Sequence, residues 1–503
     1  MPQVILVRRI VLNVLLHIIY LLQTGMGALA AYLAAHVLLC LLPAFFIAGA
    51  LSALIPKEAI TKYLGRDAPK WISYPASALG GFVLAVCSCT IMPLFASIHR
   101  KGAGLGPAIT FLFVGPAINI LAISFTGVQI GMDIALARIV LSIVFGIGIG
   151  WLMAILFRKD DEAHNSETNG SRAFAQGAKV PAHTWVFFLL LLGVLIAGTL
   201  QIGLLTNTFA TFSLPGAWAS SFQTWLDGVV PPDPALGIEG VSVHGVLLIG
   251  LLIAIGVTAW FGLNTVDEGF NTWTYVALAL VTLTLLVASF RVVAAGDGLS
   301  VGITGKLIAE LALIAAVWWT ATKAFEAHEV QEWLWETWRF VKQIIPLLIV
   351  GVFLAGMARA IVPGTWIRAI AGRNTWWANL VGVLFGVFMY FPTLVEVPIA
   401  QTFLSLGMHR GPLLAYLLAD PELSLQSILI TNSVIGKGKT AAYVVLVTVF
   451  STLSGLLFGA WVNGTNAWAI IGGTAAGIAA IAVLGLFLGS QGKQRETAAA
   501  RGN

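Results

Sequence analysis

Long apolar runs separated by short polar ones fill the chain, and their lengths set the first expectation. A helix needs about 20 mostly apolar residues to cross the core of a bilayer. Runs of that kind lie near 8–26, 29–55, 105–127, 129–157, 184–206, 243–262, 271–291, 300–322, 341–362, 411–432, 441–463 and 466–489. Two more stretches, 74–98 and 377–403, are as apolar but carry prolines in mid-run. In lipid the backbone must satisfy its own hydrogen bonds, so Pro and Gly within a span mean broken helices that are buried in protein or line a cavity. The pattern predicts an all-α polytopic membrane protein with broken or re-entrant helices.

The polar intervals orient these runs. Lys57, Lys62, Arg66 and Lys70 crowd one loop, and Arg100 and Lys101 the next. Basic loops stay cytoplasmic. If both are cytoplasmic, the stretch between them is a re-entrant hairpin with Cys87 to Thr90 near its tip. Residues 158–183 are polar and aperiodic, a cytoplasmic linker, whereas 207–242 carry Asp227, Asp233 and Glu239 without Lys or Arg and belong outside. The charged, Trp-rich segment 323–340 reads as an interfacial helix.

The pattern also repeats. An offset of 305 carries Gly81 to Gly386, Pro93 to Pro398, Gly102 to Gly407, Gly106-Pro107 to Gly411-Pro412 and Pro116 to Pro421. A further slip of two residues lays Pro56 and Gly65-Arg66 on Pro363 and Gly372-Arg373. With only 19 prolines in the chain, such coincidences mark an internal duplication. An odd number of crossings between the two copies predicts an inverted structural repeat. The expected organisation is an N-terminal helix (1–28), repeat A (29–157), the linker (158–183), inserted spans (184–322), the interfacial helix (323–340), repeat B (341–463) and a C-terminal helix and tail (464–503).

Composition agrees with this picture and narrows the chemistry. Charged residues are 10% and hydrophobic ones 58%, against roughly 25% charged in a soluble domain. The net charge of +5 comes from loops, with no basic run to suggest nucleic acid. Arg8-Arg9, the apolar run after them and Ala28-Leu29-Ala30 imitate a cleavable secretory signal, but an immediately following span makes an uncleaved first helix the expectation. No P-loop is present, so ATP is not the expected driving force, and no cofactor is implied.

The three cysteines, Cys40, Cys87 and Cys89, lie in apolar sequence and read as thiols rather than a disulfide framework. Cys87-Ser88-Cys89-Thr90 precedes Pro93. A C-x-C pair can converge on one ligand only where the backbone is extended or unwound, and paired thiolates select soft cations or thiophilic species. The matching stretch of repeat B, Pro392-Thr393-Leu394-Val395-Glu396-Val397-Pro398, carries an acid instead. A carboxylate in an apolar run is a functional candidate by default, here a proton carrier or a partner for a cation. The second pair of breaks, Gly115-Pro116-Ala117-Ile118-Asn119 and Asp420-Pro421-Glu422-Leu423-Ser424, offers opened backbone with Asn119 or Asp420 and Glu422 as ligands, unless the two acids are surface loop residues. Asp133 and Arg138 are five apart, poorly placed for a direct helical pair, while Lys306 and Glu310 at i and i+4 can neutralise one another.

These residues resemble a family. Cys87-Ser-Cys-Thr-Ile-Met-Pro93, Arg100-Lys-Gly-Ala103, Gly106-Pro-Ala-Ile-Thr-Phe111 and Gly115-Pro116 are similar to the signature of ArsP-type predicted permeases. That family includes efflux permeases for trivalent organoarsenicals and relatives linked to soft-metal efflux, and the resemblance covers both repeats. It implies a plasma or inner membrane permease with Cys87 and Cys89 as substrate or metal ligands. The expected substrate-binding set is Cys87, Ser88, Cys89, Thr90, Pro116, Asn119, Pro392 and Thr393, with Glu396 coupling transport to protons. Its partners are a small-molecule or ion substrate and the lipid bilayer, not nucleic acid, and no oligomeric state follows. The alternatives are a membrane thiol-disulfide oxidoreductase using Cys87 and Cys89, and an uncoupled channel.

Overall fold

The computed structural model describes residues 2–35, 39, 41–55, 57–66, 68–84, 88–118, 120–162, 180–199, 203–215, 218–232, 240–295, 298–361, 364–388, 393–466 and 472. The chain opens with α1 (Pro2–Ala35), α2 (Leu42–Ala53), α3 (Lys57–Leu64), α4 (Lys70–Leu84), α5 (Ser88–Arg100), α6 (Leu105–Ala117), α7 (Ile120–Gln129) and α8 (Met132–Leu156). A middle section follows: α9 (Ala182–Thr199), α10 (Gly203–Thr206), β1 (Thr208–Pro215), α11 (Trp218–Val229), α12 (Val243–Gly262), α13 (Thr272–Ala288), β2 (Arg291–Ala295), β3 (Gly298–Thr304) and α14 (Gly305–Ala324). The last section is α15 (Ala327–Ile361), α16 (Gly364–Ala371), α17 (Trp376–Phe388), α18 (Thr393–Ser405), α19 (Arg410–Leu423), α20 (Leu425–Ile435) and α21 (Lys437–Val462). Among the described residues, 7 helices are long and apolar enough to cross a membrane, and 8 if the bent pair α19 and α20 counts as one span.

Three expectations change. The chain is mostly helical but not all-α: β1, β3 and β2 form a small antiparallel sheet in that order. Its β2 and β3 pair antiparallel, with Ala295 opposite Gly298 and Arg291 opposite Gly302. Second, α1 runs through residue 28 without a break, because nothing near Ala28 stops a helix. Third, the segment expected at the interface is the first part of the 35-residue α15. Its tryptophans turn inward: Trp333 and Trp338 are buried, and their indole N–H groups donate to Phe46 O at 2.9 Å and Asn264 Oδ1 at 2.8 Å. The expected run 466–489 lies almost wholly outside the described residues.

The duplication read from the prolines recurs in the elements. Both ends of α5 (88 and 100) lie 305 positions before those of α18 (393 and 405), and both ends of α3 (57 and 64) lie 307 before those of α16 (364 and 371), reproducing the two-residue slip. Gly102 and Gly407 share a left-handed φ of 94° that disfavours other residues. Helix approaches recur as well: a Cβ on Gly150 would collide with the Gly106 carbonyl and Thr110, and one on Gly455 with the Gly411 carbonyl and Asn379.

Packing between the two sections is reciprocal. α7 lies on α18 and, at the matching positions, α20 lies on α5. α8 meets α21, where Phe145 and Phe450, themselves counterparts, stand 4.9 Å apart. Lys439 Nζ reaches Asp160 Oδ2 at 3.3 Å, joining the start of α21 to the end of α8. At the opposite end Arg410 donates to Asp133 Oδ1 at 2.8 Å, close to where His409 meets Asn463 at 3.2 Å. The two long helices therefore run antiparallel.

The proline-bearing stretches are short helices. α4 and α5 have 15 and 13 residues, about 22 and 20 Å at 1.5 Å per residue, short of a bilayer core of about 30 Å. Gly104 N donates to Leu64 O at 2.8 Å, so the α4–α5 pair leaves where it entered. His409 N donates to Ala371 O at 2.9 Å and closes the α17–α18 pair in the same way.

Candidate functional site

Two helix breaks and the first turn of α18 lie in the interior. α6 ends at Ala117, where Ile118 N caps it by donating to Val114 O at 3.2 Å. α19 ends at Leu423, and Ser424 opens α20 at a bend of 46°. The second break supplies its own caps: Ser427 N donates to Ser424 Oγ at 3.3 Å, and Ser427 Oγ donates to Pro421 O at 3.3 Å. Backbone groups freed at a helix break are thus partly satisfied by side chains of the same chain.

Arg138 on α8 serves the first break. Its side chain is 0% exposed. Nε donates to Ala117 O at 2.7 Å, Nη1 to Thr126 Oγ1 at 3.4 Å, and Nη2 to both Glu396 oxygens at 3.0 and 3.2 Å. Thr126 donates its own hydroxyl to Ala122 O at 2.6 Å, which leaves its oxygen free to accept. Glu396 lies in the first turn of α18, the end of a helix that favours negative charge. The guanidinium therefore ties α6, α7 and α8 of the first section to the hairpin of the last. Removing two charges from water costs several kcal/mol per ion, so a pair this buried exists only with the further hydrogen bonds that Ala117 and Thr126 accept.

The second break carries acids of its own. Asp420 and Glu422 are fully buried, not surface loop residues. Tyr443 donates its hydroxyl to Glu422 Oε2 at 2.9 Å. Glu422 Oε1 has no hydrogen-bond partner among the described residues. Tyr443 is the counterpart of Arg138, and Glu422 that of Ala117, so the same 21-residue reach is made twice with different chemistry.

The predicted residues divide accordingly. Glu396 is at the centre of the cluster. Thr90 and Pro116 are buried in α5 and α6. Ser88 and Cys89 open α5, and Thr393 opens α18. Cys87, Asn119 and Pro392 lie outside the described residues. Asp133 and Arg138 do not pair with each other, as their spacing predicted, and each finds a partner in the last section. Lys306 donates to Gly198 O at 3.0 Å, and both oxygens of the buried Glu310 lack hydrogen-bond partners among the described residues. Sequence reasoning missed Arg138 as a site residue. An arginine in an apolar run was the available signal, but its acid lies 258 positions away.

Comparison with known proteins agrees with the geometry. A family model described as a predicted permease, of the ArsP type, matches residues 24–460. A UPF0718 protein of Methanocaldococcus jannaschii is 32% identical over 448 residues, covering 89% of this chain and 98% of that protein. No solved structure matches. With its apolar spans, buried charges and broken helices, the chain belongs to the ArsP-type predicted permease family and is a multi-pass protein of the cell membrane.

Proposed function

We propose that the chain is a secondary transporter that exports a small thiophilic solute, such as a trivalent arsenical or a soft metal ion, in exchange for protons. Its two halves act as inverted repeats that expose one central site to either side of the membrane in turn. The observation that carries this reading is the buried Arg138–Glu396 pair, which joins the two halves where the helices break. The antiparallel course of α8 and α21 supports the inverted relation. Transporters of that design bind substrate near the midplane, between discontinuous helices.

Cys87 and Cys89 are the substrate ligands in this reading, with Ser88, Thr90, Pro116, Asn119, Pro392 and Thr393 as the other substrate-binding residues. Two thiols suit a soft, thiophilic centre that oxygen ligands bind poorly. Glu396 is the coupling group: protonation discharges it, frees Arg138 and loosens the bond between the halves. The test is methylarsenite uptake into inverted vesicles with an imposed pH gradient. Cys87→Ser with Cys89→Ser should abolish uptake, and Glu396→Gln should abolish its dependence on the gradient. Uptake unchanged in the double serine variant would remove the thiols from the mechanism.

A further inference from the structure

The charges around Arg138 do not balance if every group is ionised. One guanidinium and two buried carboxylates share this region, since α8 with Arg138 and α18 with Glu396 both pack on α19, which carries Glu422. Among the described residues, the elements packed on α19 bring no other cation to it: Arg410 of α19 is held by Asp133, Lys439 of α21 by Asp160, and Lys437 is exposed at the start of α21. α6, α17 and α20 contain no charged residue. α8 brings Arg138, α18 brings Glu396, and α21 brings the Tyr443 hydroxyl. Asp420 shares α19 with Glu422, and its backbone lies against Gly386 of α17. A buried ion without a counter-charge costs several kcal/mol and resolves by taking up a proton.

The two carboxylates are unequally placed to take that proton. Both oxygens of Glu396 accept from Arg138 Nη2. Glu422 has one oxygen on the Tyr443 hydroxyl and one, Oε1, with no hydrogen-bond partner among the described residues, in a side chain that is 0% exposed. A bare buried carboxylate oxygen is where an O–H fits. The guanidinium, meanwhile, is anchored at Nε on Ala117 O, whereas its Nη1 contact with Thr126 is long and neutral. That contact is the cheapest of its bonds to exchange.

We propose that Glu422 and Glu396 share one proton and one guanidinium, with the proton on Glu422 while Arg138 holds Glu396, and the two exchanged when Arg138 turns to Glu422. The O–H bond of Glu422 breaks and one forms on Glu396, so one proton changes site per swing and the cluster stays neutral throughout. Tyr443 is a positioning residue that holds Glu422 through its second oxygen. The proposal rests on the transport reading for its use, but not for its test.

Infrared difference spectroscopy of the purified full chain in nanodiscs at neutral pH reads protonated carboxyl groups directly. Glu422→Gln should lose a C=O band of one carboxyl relative to the wild type, while Asp420→Asn and Glu310→Gln keep it. Tyr443→Phe, a mild change, should shift that band upward by removing its hydrogen bond. Arg138→Met should add a second band, because both acids then need protons. Glu396→Gln should lose the Glu422 band as Arg138 turns to the remaining acid. An unaltered band in Glu422→Gln, or no shift in Tyr443→Phe, overturns the assignment to Glu422, and a band that survives in Glu396→Gln overturns the exchange. If proton antiport itself is wrong, methylarsenite moves without protons in the wild type while these band changes persist.

Discussion

The first and last sections of the chain repeat one backbone and fill it with different chemistry. At the position on α8 and α21 that reaches back 21 residues to the break, the first has Arg138 and the last has Tyr443. At the break the first offers the Ala117 carbonyl, and the last offers the Glu422 carboxylate. In the first turn of the second helix of each proline-bearing stretch, the first has Cys89 in α5, and the last has Glu396 in α18. Duplication supplied the frame, in which glycine approaches, broken helices and reciprocal packing recur. Divergence supplied the asymmetry of charge, because a site built twice with the same residues would carry like charges on both sides. The difference teaches that one backbone arrangement accepts unlike chemistry at matching positions.

The largest effect should follow from removing the one cation. Arg138→Met leaves Glu396 buried without its partner, and breaking a buried pair from one side costs about 3–5 kcal/mol. Tyr443→Phe, the equivalent change in the other half, strips a single hydrogen bond and should cost about 1–3 kcal/mol. Unfolding in detergent measures both. Equal losses would mean that the guanidinium is not the keystone its contacts describe.

The frame itself should break evenly. Gly150→Ala and Gly455→Ala each drive a Cβ into a facing glycine carbonyl and a side-chain oxygen, Thr110 in one half and Asn379 in the other. Overpacking of this kind costs about 1–3 kcal/mol. Both variants should lose similar stability, as read by the temperature at which each aggregates, and a large inequality would separate the two halves structurally as well as chemically.

Much of this was legible in the residues. Prolines and glycines marked the breaks because lipid leaves few places for an open backbone, and their common offset gave the duplication. Glu396 stood out since an acid in an apolar run is costly. What the chain could not give was partnership. Asp420 and Glu422 sit beside a proline and read equally well as a loop, and only the packing of α17 and α21 around α19 puts them inside. Trp333 and Trp338 looked interfacial because indoles favour headgroups, yet each N–H finds an acceptor within the protein. The small sheet escaped because β2 and β3 lie at the ends of two apolar runs that read as spans.

The smallest energetic effect should come from the pair that fixes the relation of the halves. Asp133 and Arg410 are each 32% exposed, and a partly solvated pair contributes about 0–1 kcal/mol after screening. Asp133→Asn should therefore cost less than about 1 kcal/mol, with the loss shrinking as salt is added. The geometry of the pair is more informative than its energy. In an otherwise cysteine-free chain, cysteines at 133 and 410 should cross-link with a short bifunctional maleimide, as should cysteines at 160 and 439, because the native side chains at these positions meet at opposite ends of α8. Cysteines at 133 and 439 should not. A membrane-impermeant maleimide should then label 133 and 410 from one side and 160 and 439 from the other. Labelling of 133 and 439 from the same side would require α8 and α21 to run parallel, against the antiparallel course their end contacts give.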